Sequence, residues 1–191
     1  MVLPPDVVVV LVRHGETVWS SSGRHTSYTD VPLTERGREE ARSLATRLAG
    51  SEFSLVLTSA SRRARETADL AGFGGRSEAT DDLAEWDYGE YEGLTTPEIR
   101  AEEPDWTIFT HAAPGGETAE QVAARADRVL ARAEAAGGVV AMFSHGHFLR
   151  VLGARWIGLP AAGGALLGLD TATLSFLGRE RAQHVLRVWN S

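Results

Sequence analysis

The stretch from Val7 to Thr17, VVVVLVRHGET, constrains this chain more than any other. Its apolar, β-branched run, flanked by Pro5 and Gly15, reads as a strand buried on both faces, and such strands belong mainly to parallel sheets. Open α/β sheets bind ligands just beyond the carboxyl ends of their strands. That is where the run gives way to Arg13 and His14. A neutral imidazole is a competent nucleophile, and a guanidinium offers a fork of donors that matches phosphate oxygens bidentately. Alone, such a pair is also how a strand ends in polar residues at a surface.

Composition narrows the chemistry. A chain of 191 residues fits one domain, and a domain of that size buries about 70% of its unfolded surface without staples. There is no cysteine, which excludes a disulfide scaffold, an iron–sulfur cluster and a cysteine nucleophile and permits a cytoplasmic setting. Every basic side chain other than histidine is arginine, so the P-loop lysine and Schiff-base chemistry are excluded too. The net charge of −7 argues against general affinity for nucleic acid or an anionic membrane, although a local arginine cluster can still attract a small phosphate. The start, MVLPPDVVVVLV, is too short for a membrane span and lacks the basic region of a signal peptide, so it reads as the first strand of a soluble protein.

Strand, turn and helix then repeat. Residues 18–33 read as an ordered loop, followed by Thr34 as N-cap of an amphipathic helix stopped at Gly50. Phe53 to Thr58 is a second buried strand, running into a helix to Gly72 whose first turn carries Arg62, Arg63 and Arg65. Singly, each of those arginines reads as part of a solvated face. Leu83 to Leu94 mixes acids with aromatics. An apolar wall raises the pKa of a carboxyl beside it, which singles out Glu85, although an exposed acidic loop has the same composition. Thr96, Pro97 and Glu98 signal a short helix with Thr96 as its cap, and a longer one spans Thr118 to Ala136. Val139 to Phe143 is a third buried strand, ending in Ser144, His145, Gly146 and His147 and a helix to Trp156. His-x-His is also metal-ligand spacing, but no Cys or carboxylate cluster completes a metal site. Segments 171–177 and 184–189 read as closing strands.

Three strand–helix junctions thus supply Arg13 with His14, Arg63, and His145, while a fourth loop supplies Glu85. With LVRHGET at residues 11–17, LTERG at 33–37, Thr58-Ser59 with Arg63-Ala64 and Thr67-Ala68, the Glu85 block, GGE at 115–117 and SHG at 144–146, the chain resembles the histidine phosphatase superfamily, or phosphoglycerate-mutase-like family, over nearly its whole length. The resemblance implies one α/β domain, a three-layer α/β/α sandwich with a mostly parallel central sheet. It implies phosphoryl transfer through a phosphohistidine without metal or cofactor. In it His14 matches the nucleophile, Arg13, Arg63 and His145 the groups holding the phosphoryl oxygens, and Glu85 the proton donor.

Mutases of this family carry a longer central insert with paired basic residues and a C-terminal tail. Between Glu85 and Glu117 this chain has only Arg100 and His111, which favours a phosphatase over the alternative, a cofactor-dependent phosphoglycerate mutase. The loops most resemble those of the family's bacterial broad-specificity acid phosphatases and its sugar-bisphosphatase branch, which implies a small phosphate ester as substrate and leaves a homodimer open. Ser20, Thr26, Ser27, Tyr88, Glu117 and Gly146 are the candidate substrate contacts, with Ser20 standing where many members carry Asn and Ser27 where they carry Gly. Trp86, Tyr88, Tyr28 and His25 either wall the pocket or belong to the core.

Overall fold

The computed structural model describes residues 3–4 and 6–191; Pro5, expected to flank the first strand, lies outside them. Among the described residues the strands form one six-stranded sheet in the order β3-β2-β4-β1-β5-β6. Strand β1, Val7–Arg13, pairs in parallel with β4, Val140–Ser144, which pairs in parallel with β2, Leu55–Thr58. The closing strands β5, Leu174–Glu180, and β6, Gln183–Val188, are antiparallel. Both begin at other residues than the sequence suggests. A two-residue edge strand β3, Glu78–Ala79, carries no sequence signal because both its residues are exposed.

The β-branched run works as its pattern demands. Val9 and Leu11 face one core with Leu57 and Met142, while Val10 and Val12 face a second with Val56 and Phe143. Two-sided burial of the central strands requires helices on both faces. One face is covered by α2, Glu35–Leu48, through Ala41, Leu44 and Leu48. Thr34 accepts the Gly37 N–H at its start, as read from the sequence. The other face is covered by α5, Ala119–Ala136, and α6, Gly146–Trp156. The result is the three-layer sandwich with a mostly parallel sheet that the family resemblance implies.

Three local expectations change. Residues 18–22, read as loop, form a short helix α1, Val18–Ser22, because Thr17 and Ser20 cap each other reciprocally. Helix α3, Arg62–Ala68, ends four residues before Gly72, and the chain continues as a π-helical turn over Asp69–Phe73. Helix α4, Thr96–Arg100, is capped by Thr95, not Thr96, since the spacing from Thr95 to Glu98 closes the capping box. Among the described residues no helix is long and apolar enough to cross a membrane.

Candidate active site

Sheet order makes the site. Strands β2, β4 and β1 are adjacent, and the parallel register sets Thr58 beside Phe143 and Ser144 beside Arg13. The residues that follow each strand therefore meet at one edge. His14 donates its backbone N–H to the Ser144 carbonyl at 3.0 Å, and the His14 and His145 rings stand edge to face with centroids 5.2 Å apart. The turn carrying His14 is clamped from behind: Gly15 donates to Thr67 Oγ1 at 3.0 Å, and a Cβ on Gly15 would lie 2.3 Å from the Gly37 carbonyl oxygen. Glycine at 15 and 37 lets the first turn of α2 press directly on this turn.

His14 Nδ1 lies 2.8 Å from the Gly15 carbonyl oxygen, which can only accept. Nδ1 therefore bears the proton, and Nε2 carries the free lone pair. Burial, followed by the positive charge of Arg63 and Arg13, holds the His14 pKa well below the usual imidazole value, so the ring is neutral. His145 is held down by burial, Arg63 and His14, and its Nε2 pairs with Ser59 Oγ at 2.8 Å.

Of the three clustered arginines on α3, Arg62 and Arg65 are exposed and Arg63 turns inward at 1% exposure. Arg63 Nη2 donates to the Thr26 and Ser27 carbonyls at 3.1 and 3.2 Å. Arg13 donates through Nη1 to the Leu169 carbonyl and packs flat on Gly146, where a Cβ would lie 3.2 Å from its guanidinium carbon. Burial lowers the pKa of both guanidinium groups and the Glu85 charge raises it. Arg13 Nε, Arg63 Nε and His145 Nδ1 are buried without a hydrogen-bond partner among the described residues. Donors held dry and unpaired beside a nucleophilic nitrogen suit a transferring phosphoryl group, whose charge is spread over its oxygens.

Glu85, 9% exposed, is not walled by aromatics alone. Its carboxylate accepts the Trp86 N–H at 2.9 Å, the Phe148 N–H at 2.8 Å and the His147 N–H at 3.1 Å, so it caps the first turn of α6. Arg125 fixes the backbone beneath it by donating to the carbonyls of Asp82, Ala84 and Glu85. Nothing in the sequence singled out Arg125, one arginine among several on an amphipathic helix.

Two cavities meet at Glu85. The smaller, about 160 Å³, is lined by Arg13, His14, Ser20, Thr26, Tyr88 and Gly146 among others. The larger, about 570 Å³, is lined by Ser27, Tyr28, Glu117, Arg62, Arg65 and His145 among others. All six candidate contacts thus reach a wall, but several are occupied in holding the wall together. The Ser20 hydroxyl is committed to Thr17, the carbonyls of Thr26 and Ser27 to Arg63, and Gly146 to the close approach of Arg13. The Glu117 carboxylate binds Arg125 at 2.7 Å and the Asp87 N–H at 3.0 Å.

The aromatics divide as well. Trp86 is core, with Nε1 donating to the Glu117 carbonyl, whereas Tyr28 stands 67% exposed on the rim of the larger cavity. Burial and the Asp87 carboxylate push the Tyr28 phenol up to about 12. His25 and Tyr88 are buried, yet both line the smaller cavity. The two imidazoles of His-x-His diverge: His145 turns to Ser59, and His147 Nδ1 to the Tyr88 hydroxyl at 2.6 Å. Among the described residues no group of three or more His, Asp or Glu is placed to hold a metal ion.

A model of the histidine phosphatase superfamily (branch 1) matches residues 9–191. The chain is 46% identical over 185 residues to an acid phosphatase of Mycobacterium tuberculosis, covering 94% of this chain and 90% of that protein. It is 35% identical over 184 residues to a sedoheptulose 1,7-bisphosphatase of Saccharomyces cerevisiae, covering 78% and 67%. A solved structure of a Mycobacterium tuberculosis open reading frame superimposes with a TM-score of 0.91 at 44% identity, over 95% of this chain and 96% of that one.

Proposed function

The chain belongs to the histidine phosphatase superfamily, branch 1, and from that premise we propose that it is a phosphomonoesterase acting on small phosphorylated metabolites, sugar phosphates or similar, in the cytoplasm. The observation that carries this reading is the His14 ring: Nδ1 is tied to the Gly15 carbonyl and Nε2 is left neutral beside Arg13, Arg63 and His145. His14 Nε2 attacks phosphorus, and the P–O bond to the leaving group breaks as the N–P bond forms. The three cationic or N–H-bearing neighbours stabilise the charge gathered on the phosphoryl oxygens.

Glu85 gives its proton to the departing oxygen in this first step. It then takes one from the water that breaks the N–P bond, the acid-then-base sequence of two-step displacement. Glu85 lies where the two cavities join, so the phosphoryl group sits at that junction, between Arg13 and His14 of the smaller cavity and His145 of the larger, and the leaving group extends into the larger. The larger cavity accommodates a leaving group of sugar size, and its wall mixes Arg62 and Arg65 with Asp30, Asp81 and Asp87, as suits a hydroxyl-rich group.

Release of inorganic phosphate across a panel of sugar phosphates, bisphosphates and phosphoglycerates, with His14→Ala as the blank, tests the reading. Phosphate release with an acid-labile phosphoryl label on the wild-type protein is the expected result. Conversion of 3-phosphoglycerate to 2-phosphoglycerate in the presence of the bisphosphate, without free phosphate, would overturn it in favour of a mutase.

A further inference from the structure

Phosphoryl transfer as derived from the cage leaves one support of His14 unused. The Gly15 carbonyl that accepts its Nδ1–H belongs to the peptide joining residues 15 and 16, and the N–H of that same peptide, on Glu16, donates to Oε2 of Glu40 on α2 at 3.1 Å. A trans peptide sets its C=O and N–H on opposite sides of one plane. The Glu40 carboxylate, the Glu16 N–H, the Gly15 C=O and the His14 Nδ1–H therefore form a row, with the nucleophilic Nε2 at its far end.

The two oxygens of Glu40 are divided. Oε1 pairs with Arg36 Nε at 3.0 Å, but that arginine side chain is 74% exposed, so water screens the pair. Oε2 takes the Glu16 N–H and lies 3.4 Å from the Thr171 hydroxyl. The turn itself has other anchors. Gly15 donates its N–H to Thr67 Oγ1, and the Glu16 carbonyl accepts the Thr34 N–H at 2.9 Å. Burial lowers the Arg13 pKa and, after Glu85, Glu40 is among the charges that raise it, so the Glu40 charge is felt inside the cage.

We propose that Glu40 is a positioning residue for the nucleophile: its carboxylate polarises the peptide between residues 15 and 16, strengthens the Gly15 carbonyl as an acceptor, and so steadies the positive charge that the His14 ring takes on when Nε2 bonds to phosphorus. This rests on His14 being the nucleophile. An amide that gives its N–H to a carboxylate accepts more strongly at its oxygen, because hydrogen bonds in a chain polarise one another. In a Ser-His-Asp triad the carboxylate stabilises the imidazolium directly. Here one peptide unit stands between the two. During attack the N–P bond forms, the P–O bond breaks, and the Nδ1 proton stays on Nδ1. When water breaks the N–P bond, the electron pair returns to Nε2 and the ring is neutral again. Glu40 thus favours the phosphorylated ring over the free one, speeding its formation and slowing its hydrolysis.

The test is Glu40→Gln, which keeps an oxygen for the Glu16 N–H and removes the charge. Single-turnover rapid quench with radiolabelled 4-nitrophenyl phosphate follows the acid-labile label on His14 as it rises and decays. In Glu40→Gln the label forms about fivefold more slowly and decays about twofold faster than in the wild type. In the resting protein the His14 Nδ1–H proton resonance moves upfield, as a weaker hydrogen bond requires. Loss of a negative charge near Arg13 would by itself favour a dianionic ester, so slower formation is not an effect of net charge. Equal slowing of both phases, which a displaced turn produces, overturns the proposal, and so do unchanged rates or an unmoved resonance. The two readings separate cleanly. Turnover that survives His14→Ala removes the phosphohistidine and this proposal with it, whereas a labelled His14 with wild-type kinetics in Glu40→Gln removes only the role of Glu40.

Discussion

The two cavities that meet at Glu85 are built by opposite means. The smaller one is built on the end of β1, with His14 buried and held through its ring and its backbone N–H, and Arg13 held by the Leu169 carbonyl. The larger one is walled by loops and by the outer face of a seven-residue helix, with Tyr28 and Arg65 exposed. Sheet register fixes where β1 ends and so where His14 stands, as chemistry on a single phosphorus atom requires. The second tolerates change, because a leaving group has only to be accommodated. On the proposed function, chemistry belongs mainly to the first and selectivity to the second.

The largest effect should come from the small cavity. His14→Ala is expected to lower kcat by about 10⁴-fold or more for every ester alike, measured by phosphate release. Retention of more than about one per cent of wild-type turnover would show that the cage alone is enough, and the contrast between the cavities would collapse.

The ion pair beneath Glu85 joins the two regions. Glu117→Ala leaves Arg125 partly buried without its carboxylate, which should cost about 3 kcal/mol and lower Tm by about 6–12 °C, read by calorimetry. Alkyl esters should slow more than aryl ones, since Arg125 holds the backbone of the acid.

The buried imidazoles of the site also set a pH signature on stability. For His14, His145 and His147 the folded pKa is depressed well below the unfolded value of 6.5, so the unfolded chain binds more protons as pH falls through that value. Their contribution is intact above pH 6.5 and is lost progressively below it. Denaturant titrations at pH 6.5 and about 5.5 should differ by about 1 kcal/mol for each ring, or about 3 kcal/mol in sum. Substitution of the three by residues of fixed charge state should flatten that slope. A neutral His14 also means that turnover of an alkyl ester need not fail on the acid side for want of a nucleophile. A flat profile between about pH 5 and 8 would count against Glu85 as the acid.

The smallest effects belong to the large cavity. Tyr28→Ala and Arg65→Ala should change KM for a sugar phosphate by only a few fold and leave kcat for 4-nitrophenyl phosphate within about twofold. A large loss of kcat in either would mean that the rim takes part in the chemistry.

This division also decided what could be read from sequence. The β-branched run, the second and third strands and the polar residues ending each are contiguous signals that mark the junctions carrying Arg13, His14, Arg63 and His145, and the family resemblance supplies their roles. The pattern reads as an α/β chain with buried parallel strands, and the three-layer sandwich comes from the family resemblance. Substrate contacts were less legible, because a residue named from a motif does not declare where its polar atoms go. Ser20, Glu117 and Gly146 all reach a cavity wall, yet each is engaged in supporting a neighbour. Arg125 carries no sequence signal, because the carbonyls it holds lie more than 30 residues away along the chain.

Gly37 has a practical corollary. It lies in the first turn of α2, buried against the Glu16 backbone, with a Cβ there falling 2.1 Å from the Glu16 carbonyl oxygen. Anyone seeking a hardier enzyme by trading a helical glycine for alanine, a change that usually adds about 0.4–1 kcal/mol, would at this residue be prying the helix off the turn that carries the nucleophile. The spot that looks most improvable on propensity is the one to leave alone.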